Sequence, residues 1–442
     1  MAVSDPGRGM RFLRAVNGLR GTVTVPGDKS ITHRALLLGA VNDGPVKVSG
    51  FLRSADTLAT LGAVRALGVL VEEEDDKTLS VRGSGWQGLH EPEDVIDVAN
   101  SGTLIRLLPG LVASREFLCV LTGDASIRRR PMARVLAPLA AMGATVSGRR
   151  GDTLPPFSIR GGQLRGLTHT LPIASAQVKS CIILAALRAD GETSVAEPGA
   201  SRDHTERMVR YAGGRVEREG DPRGPGVIRV WPADKLSLGS VSVPGDISSA
   251  AFLLVAALLV PSSEVSVTGV GLNPTRTGLL GVLGRMGAAL EVKPGQTLGP
   301  EPSGTVTARS SDLTATEVGP DEVPSLIDEL PLFLLAAAKA RGTSRLRGAG
   351  ELRAKESDRL QAMAELLRAL GAEIVEHPDG LDVTGSPRGW KGGSILSYGD
   401  HRLAMVGAIA GAASQDGVLV DDPGCMGVSY PGFVQTLAEL GG

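Results

Sequence analysis

The chain has 442 residues, of which 42% are hydrophobic and only 3% aromatic, and its formal net charge is −2. That length predicts two or three domains with cores of aliphatic and small residues, and the near-zero charge excludes a global field for nucleic acid or membrane surfaces, so any basic site is local. Cys119, Cys181 and Cys425 form an odd, widely spaced trio without a CxxC, which fits reduced thiols in a cytoplasmic protein better than disulfides or a zinc site. The opening MAVSDPGRGMRFLRAVNG lacks an apolar h-region, and the longest apolar run, roughly Ala250 to Val260, is too short to span a bilayer.

Two helix series alternate along the chain. One begins near Ser30 (KSITHRALLLGAV), Asn100 (NSGTLIRLLPGLVA), Ser175 (SAQVKSCIILAAL), Ser248 (ISSAAFLLVAALLV), Ser325 (SLIDELPLFLLAAA) and Asp400 (DHRLAMVGAIAGAA). These helices are apolar on nearly all sides, which predicts burial, and most start with a good N-cap residue. The other series is amphipathic, each helix ending in a glycine stop: Gly68, Gly143, Gly213, Gly287, Gly371 and Gly441. Those glycines recur every 70–84 residues, so the chain reads as six units of strand and helix. Short β-branched runs such as TVTV, VKVSG, EVSVTG and GVLVDD read as strands. VPGDKSITHRALLLGA at Val25 is echoed by VPGDISSAAFLLVAA at Val243, 218 residues later. The echo predicts two halves of three units joined twice by extended VPGD segments, with Val25–Gly27 paired to Val243–Gly245.

Polar residues gather at the starts of the buried helices: Lys29, Ser30 and Arg34; Asn100; Ser175 and Gln177; Asp328 and Glu329; Asp400, His401 and Arg402. A buried helix start offers free N–H groups and the positive end of its dipole, which suits phosphate or carboxylate. Basic loop residues add to this: Arg128 to Arg130, Arg202, and Arg353, Lys355 and Arg359. Each also has a plain reading: Asn100, Ser175 and Asp328 as caps, Arg128 and Arg129 as solvated loop charges, Glu356 as an exposed helix-start charge, His401 as a satisfied core histidine. GDKS is not an ATP-binding P-loop, because Thr22 stands where the first glycine belongs and Asp28 separates Gly27 from Lys29. No GxGxxG follows a strand, and His33, His204 and His401 lack metal-ligand spacing, so neither a cofactor nor a metal is expected.

The segments VPGDKSITHR, ANSGTLIRL, GDASIRRRPM, SAQVKS, SRDHTE, NPTRTG, SLIDELP, ELRAKESDRL and GDHRLAM resemble, in order and spacing and over nearly the whole chain, the 5-enolpyruvylshikimate-3-phosphate (EPSP) synthase family, in its bacterial class II form. The resemblance implies an α/β fold of two similar domains, each of three βαβαββ-type repeats (an inside-out α/β barrel), joined by two hinge strands. One domain would comprise residues 1–25 plus 245–442 and the other 26–244. The implied activity transfers the enolpyruvyl group of phosphoenolpyruvate to shikimate 3-phosphate between the halves, in a small-molecule transferase of the shikimate pathway that is a cytoplasmic monomer without nucleic-acid or membrane partners.

Carried onto this sequence, the resemblance assigns Lys29, Ser30, Arg34, Ser175, Ala176, Gln177, Arg202, Asp328 and Lys355 to shikimate 3-phosphate. Lys29, Asn100, Gly102, Arg130, Gln177, Glu356, Arg359, His401 and Arg402 fall to phosphoenolpyruvate. Lys29, Asp328 and Glu356 would be catalytic. Val428 stands where many members have a lysine before a Ser-Tyr-Pro-like element, here Ser429–Pro431. Gly102 keeps the small residue that accompanies glyphosate sensitivity, while Leu107 replaces a common proline. A relative acting on another acceptor and a non-catalytic anion-binding paralogue are the alternatives. UDP-N-acetylglucosamine enolpyruvyl transferases share the fold, but aligning on Arg130-Pro131 puts Ala125 where they carry a reactive cysteine.

Overall fold

The computed structural model describes residues 2–5, 9–222, 224–297, 299–387 and 389–442. Its contacts divide the chain into two units: unit 1 holds Met1–Pro26, Pro244–Gln296 and Pro302–Gly442, and unit 2 holds Gly27–Val243 and Thr297–Glu301. Each unit has its own aliphatic core.

In unit 2 the helices are α1 (Lys29–Ala40), α2 (Ala55–Ala66), α3 (Leu104–Val112), α4 (Ala133–Met142), the single turn α5 (Arg149–Asp152), α6 (Ala176–Ala186) and α7 (His204–Tyr211). Unit 1 has α8 (Ile247–Leu259), α9 (Gly278–Arg285), the short α10 (Val323–Leu326), α11 (Leu330–Lys339), α12 (Arg359–Ala369), α13 (His401–Ala413) and α14 (Phe433–Gly441). The all-apolar segments became the cores: every residue of α8 is buried, as are all of α3 but few of α9. With so few aromatics, close approach of backbones fills space instead. A Cβ on Gly110 of α3 would come within 2.2 Å of the Cys181 carbonyl of α6.

Among the described residues six four-stranded sheets are present, three per unit, and all six share one pairing order: a parallel pair followed by two antiparallel neighbours. Two sheets in unit 1 and one in unit 2 take a strand from a distant part of the chain. Strand Arg20–Val23 precedes α1 but pairs in parallel with Glu264–Gly271 of unit 1, whereas Ser240–Ser242 precedes α8 but pairs in parallel with Asp43–Ser49 of unit 2. Strands Ala2–Asp5 and Gly9–Phe12 complete the sheet of Val418–Val420. The chain thus passes between units at each VPGD.

Where a ladder between Val25–Gly27 and Val243–Gly245 is expected, Asp246 N donates to the Pro26 carbonyl at 2.8 Å, while Val243 N and Gly245 N donate to the Ser49 and Gly269 carbonyls, each at 2.8 Å. Pro26 and Pro244 have no N–H with which to build it. The motif's aspartates act instead as caps: Asp28 accepts from Ile31 N (2.9 Å) and Asp246 from Ser248 N (2.8 Å). Five of the six glycine stops have positive φ, at Gly68, Gly143, Gly213, Gly287 and Gly371. Gly441 remains helical, and the positive φ falls on Gly442.

Candidate functional site

Unit 2 gathers its expected residues at three helix starts. Lys29 Nζ lies 3.1 Å from Asp56 of α2, a partner that sequence reading missed because an acid in a first helical turn already complements the dipole. Arg34, only 3% exposed, donates to the Ser30 carbonyl (2.9 Å), Ser180 Oγ (2.8 Å) and Thr205 Oγ1 (2.7 Å). One guanidinium therefore ties α1 to α6, which starts at Ser175–Gln177, and to α7, which Arg202 precedes. Ser175 is at the N-cap of α6 but its hydroxyl makes no capping bond, so capping does not account for it.

Asn100 lies outside α3, which starts four residues later, after Ser101 Oγ accepts from Leu104 N at 3.2 Å. Asn100 bonds Asp124 and accepts from Arg130 Nη2 (3.2 Å), which also reaches Ser126 Oγ (3.3 Å). Gln177 is fixed from both ends: its oxygen accepts from Arg106 Nη1 (2.7 Å) and its amide donates to Thr103 Oγ1 (3.2 Å). Arg106 and Thr103 were not singled out in the sequence, since only tertiary contact reveals them. Arg128 and Arg129 are exposed, and Arg128 is bonded to the Gly123 carbonyl at 2.7 Å.

His33 is enclosed beneath Lys29, its Nδ1 2.6 Å from Thr60 Oγ1. Burial, with Lys29 and Arg34 adding to it against Asp56, pushes its pKa down to about 3. An unfolded histidine binds a proton near pH 6.5 while this one does not, so stability falls as pH drops from about 6.5 towards 3. The loss expected is about 4 kcal/mol across that window, and His33→Gln flattens it, as denaturant titrations at pH 4 and pH 7 would measure.

In unit 1 one cluster unites the expected residues. Asp328 follows α10, and Glu329 rather than Asp328 holds the N-cap position of α11, with Pro331 in its first turn. The Asp328 carboxylate lies 3.6 Å from Arg359, 3.8 Å from Lys355 and 3.8 Å from Arg402, and its carbonyl accepts from Arg402 Nη1 at 3.1 Å. Arg359, 1% exposed, donates to both oxygens of Asp400 (2.7 and 3.2 Å) and to Glu356 (2.7 Å). Asp400 also caps α13 through Arg402 N at 2.9 Å. Burial alone would raise the Asp400 pKa, but the charge and hydrogen bonds of Arg359 hold it below the usual carboxylate range. His401 is buried in the first turn of α13. Arg353, expected among the anion binders, instead clamps the loop: it donates to the Pro378 and His377 carbonyls (2.9 and 3.0 Å) and to Asp358 (2.9 Å). Val428 ends a half-buried 3₁₀ turn, Pro423–Val428.

Among the described residues no group of three or more His, Cys, Asp or Glu is placed to hold a metal ion, and no helix is long and apolar enough to cross a membrane. No thiol is activated: burial pushes Cys119 and Cys181 up to about 12 and Cys425 up to about 11. The sites are therefore two sets of carboxylates and cations, suited to binding anions and moving protons.

Comparison with known proteins gives the family. Residues 13–437 match the family model described as EPSP synthase (3-phosphoshikimate 1-carboxyvinyltransferase). A 3-phosphoshikimate 1-carboxyvinyltransferase from Geobacter sulfurreducens is 50% identical over 422 residues, covering 96% of this chain and 97% of the relative. One from Citrifermentans bemidjiense is 48% identical over 425 residues, with the same coverage of 96% and 97%. The solved EPSP synthase from Acinetobacter baumannii superposes with a TM-score of 0.88 at 41% identity, covering 97% of each chain. The enolpyruvyl transferase NikO from Streptomyces tendae shares the fold alone, with a TM-score of 0.76 at 20% identity over 99% of this chain and 98% of that one. With its six-fold α/β repeat, its two charged clusters and these whole-length relatives, the chain belongs to the EPSP synthase (3-phosphoshikimate 1-carboxyvinyltransferase) family.

Proposed function

We propose that this chain transfers the enolpyruvyl group of phosphoenolpyruvate to the 5-hydroxyl of shikimate 3-phosphate and releases phosphate, a step towards chorismate and the aromatic amino acids. The observation that carries the reading is the unit 1 cluster, where Asp328 and Glu356 stand within salt-bridge distance of the same buried Arg359. Two carboxylates held by cations meet the needs of an addition followed by an elimination. In the first step the 5-hydroxyl attacks C2 of phosphoenolpyruvate, losing its proton to Asp328, while C3 gains a proton. In the second, phosphate leaves and C3 returns a proton. We assign the proton traffic at C3 to Glu356 and stabilisation of the leaving phosphate to Lys29.

Lys29, Ser30, Arg34, Ser175, Ala176, Gln177, Arg202, Asp328 and Lys355 hold shikimate 3-phosphate in this reading. Lys29, Asn100, Gly102, Arg130, Gln177, Glu356, Arg359, His401 and Arg402 hold phosphoenolpyruvate. Arginine matches both anions with paired N–H donors. Three unpaired thiols fit a reducing compartment, and we place the enzyme in the cytoplasm as a monomer whose partners are its substrates, a state that sedimentation would check.

The test mixes purified protein with phosphoenolpyruvate and either shikimate 3-phosphate or UDP-N-acetylglucosamine and measures phosphate release. Turnover is expected only with the first acceptor, and its absence there sinks the reading. A narrower test concerns Gly102, where an added Cβ would meet Arg130 Nη1 at 2.7 Å and Arg106 Nη1 at 3.3 Å. Gly102→Ala displaces the Arg130 guanidinium, so the KM for phosphoenolpyruvate rises about tenfold or more while that for shikimate 3-phosphate changes little.

A further inference from the structure

We propose that Lys179 is a positioning residue for the phosphate of the acceptor, acting through a buried ion cluster with Glu197 and Glu206 that locks the Ser175–Gln177 helix start against the Ser201–Arg202 turn. The inference rests on the function proposed above. Lys179 lies in SAQVKS but takes no part in the chemistry described there, and its side chain is 0% exposed. A buried ammonium is costly unless it is paired. Here Nζ lies 2.8 Å from Glu206 Oε1 and 3.2 Å from Glu197 Oε2, and it donates to the Ser201 carbonyl at 3.2 Å. Glu197 is tied in turn to Ser201 Oγ (2.7 Å) and to Arg218.

The backbone completes the link. Lys179 N donates to the Ser175 carbonyl at 3.0 Å, closing the first turn of α6. One residue therefore holds Ser175 through its main chain and the residue before Arg202 through its side chain. Glu206 sits on α7 one residue beyond Thr205, the acceptor of Arg34 Nε. The cluster thus underlies groups assigned to the acceptor: Ser175, Ala176, Arg202 and Arg34. Of the groups assigned to phosphoenolpyruvate in the same unit, Asn100 and Arg130 are fixed separately by Asp124 and Ser126, and the Gln177 side chain, assigned to both substrates, is held by Arg106 and Thr103 of the α3 end rather than by the cluster. Apolar side chains of like volume would fill the same space at no loss of stability. What they cannot do is hold the Ser201 carbonyl at a set distance from α6.

The experiment first requires that the wild type turns over shikimate 3-phosphate; failure there removes the proposed function, not the positioning role. Lys179→Met alone leaves the Glu206 carboxylate uncompensated and is expected to melt early. The informative variant is Lys179→Met with Glu206→Met, which removes both charges of the closest pair, 2.8 Å apart. Both are assayed below their melting temperatures. The double variant is expected to raise the KM for shikimate 3-phosphate roughly tenfold, with the KM for phosphoenolpyruvate and kcat within about twofold of wild type. A wild-type KM for shikimate 3-phosphate, or an equal rise in both KM values, overturns the proposal, since a purely structural role would not separate the two substrates.

Discussion

Arg359→Gln is expected to lower kcat/KM by about 10²–10³ and to destabilise unit 1 by about 3–5 kcal/mol. Both effects follow from one buried guanidinium. Arg359 offsets Asp400, which is 0% exposed, and also bonds Glu356. Its loss leaves a buried carboxylate without its guanidinium partner, held only by hydrogen bonds such as those from Ser357 Oγ and Arg402 N, and it removes a paired donor from the proposed phosphoenolpyruvate site. Arg359→Lys should recover part of the stability but little of the activity, because a point charge does not replace a planar fork on two acceptors. The pH dependence has a definite sign. Asp400 titrates below the usual carboxylate range in the folded chain, so its pairing stabilises above the unfolded value and is lost as pH falls through the folded one. In the glutamine variant burial is no longer outweighed, the Asp400 pKa rises, and this contribution to the acid limb is lost. Thermal melts from pH 3 to 7, with phosphate-release kinetics, measure both effects; a variant melting like wild type would falsify the account of the Arg359–Asp400 pair.

Asp328→Asn has the second large effect, and it falls on rate rather than stability. Its carboxylate stands 3.6–3.8 Å from its three cations, longer than a hydrogen bond, while its carbonyl keeps the bond from Arg402. The side-chain exchange weakens these ion pairs and leaves the bond between the Asp328 carbonyl and Arg402 in place. What disappears is the group proposed as proton acceptor for the 5-hydroxyl, so kcat should fall by about 10²–10⁴ with both KM values within a few-fold. Steady-state kinetics with each substrate varied in turn decide it. A loss confined to KM would make Asp328 a binding group and move the base elsewhere.

Local features were legible in the sequence and tertiary ones were not. Gly68 and Gly371 could be read as helix stops because a left-handed residue is a property of its own backbone. The buried helices could be read from apolar residues on every face. Partner choice is different. Period-two alternation says that Arg20–Val23 is a strand, but not that it joins Glu264–Gly271. Arg34 and Arg353 looked alike as basic residues near an anion site. Only contact separates a guanidinium linking three helices from one that clamps a loop. Asp56, Thr103 and Arg106 escaped notice for the same reason: each acts on a residue from a different element.

The strand exchange at the two VPGD segments also sets an order of assembly. Nearly all of unit 2 is one uninterrupted stretch, Gly27–Val243, whose first sheet closes when Ser240–Ser242 arrives beside Asp43–Ser49. Unit 1 needs both ends of the chain. Gly9–Phe12 must wait for Val418–Val420, and Arg20–Val23 for Glu264–Gly271. During synthesis from the N-terminus, the middle of the chain can therefore close its core while the first strands still lack their partners from later in the chain. Gly9–Phe12, whose other neighbour is Ala2–Asp5, has to keep one open edge until Val418–Val420 emerges, whereas Arg20–Val23 waits only for Glu264–Gly271, so ribosomal synthesis exposes the Gly9–Phe12 edge for the longer time.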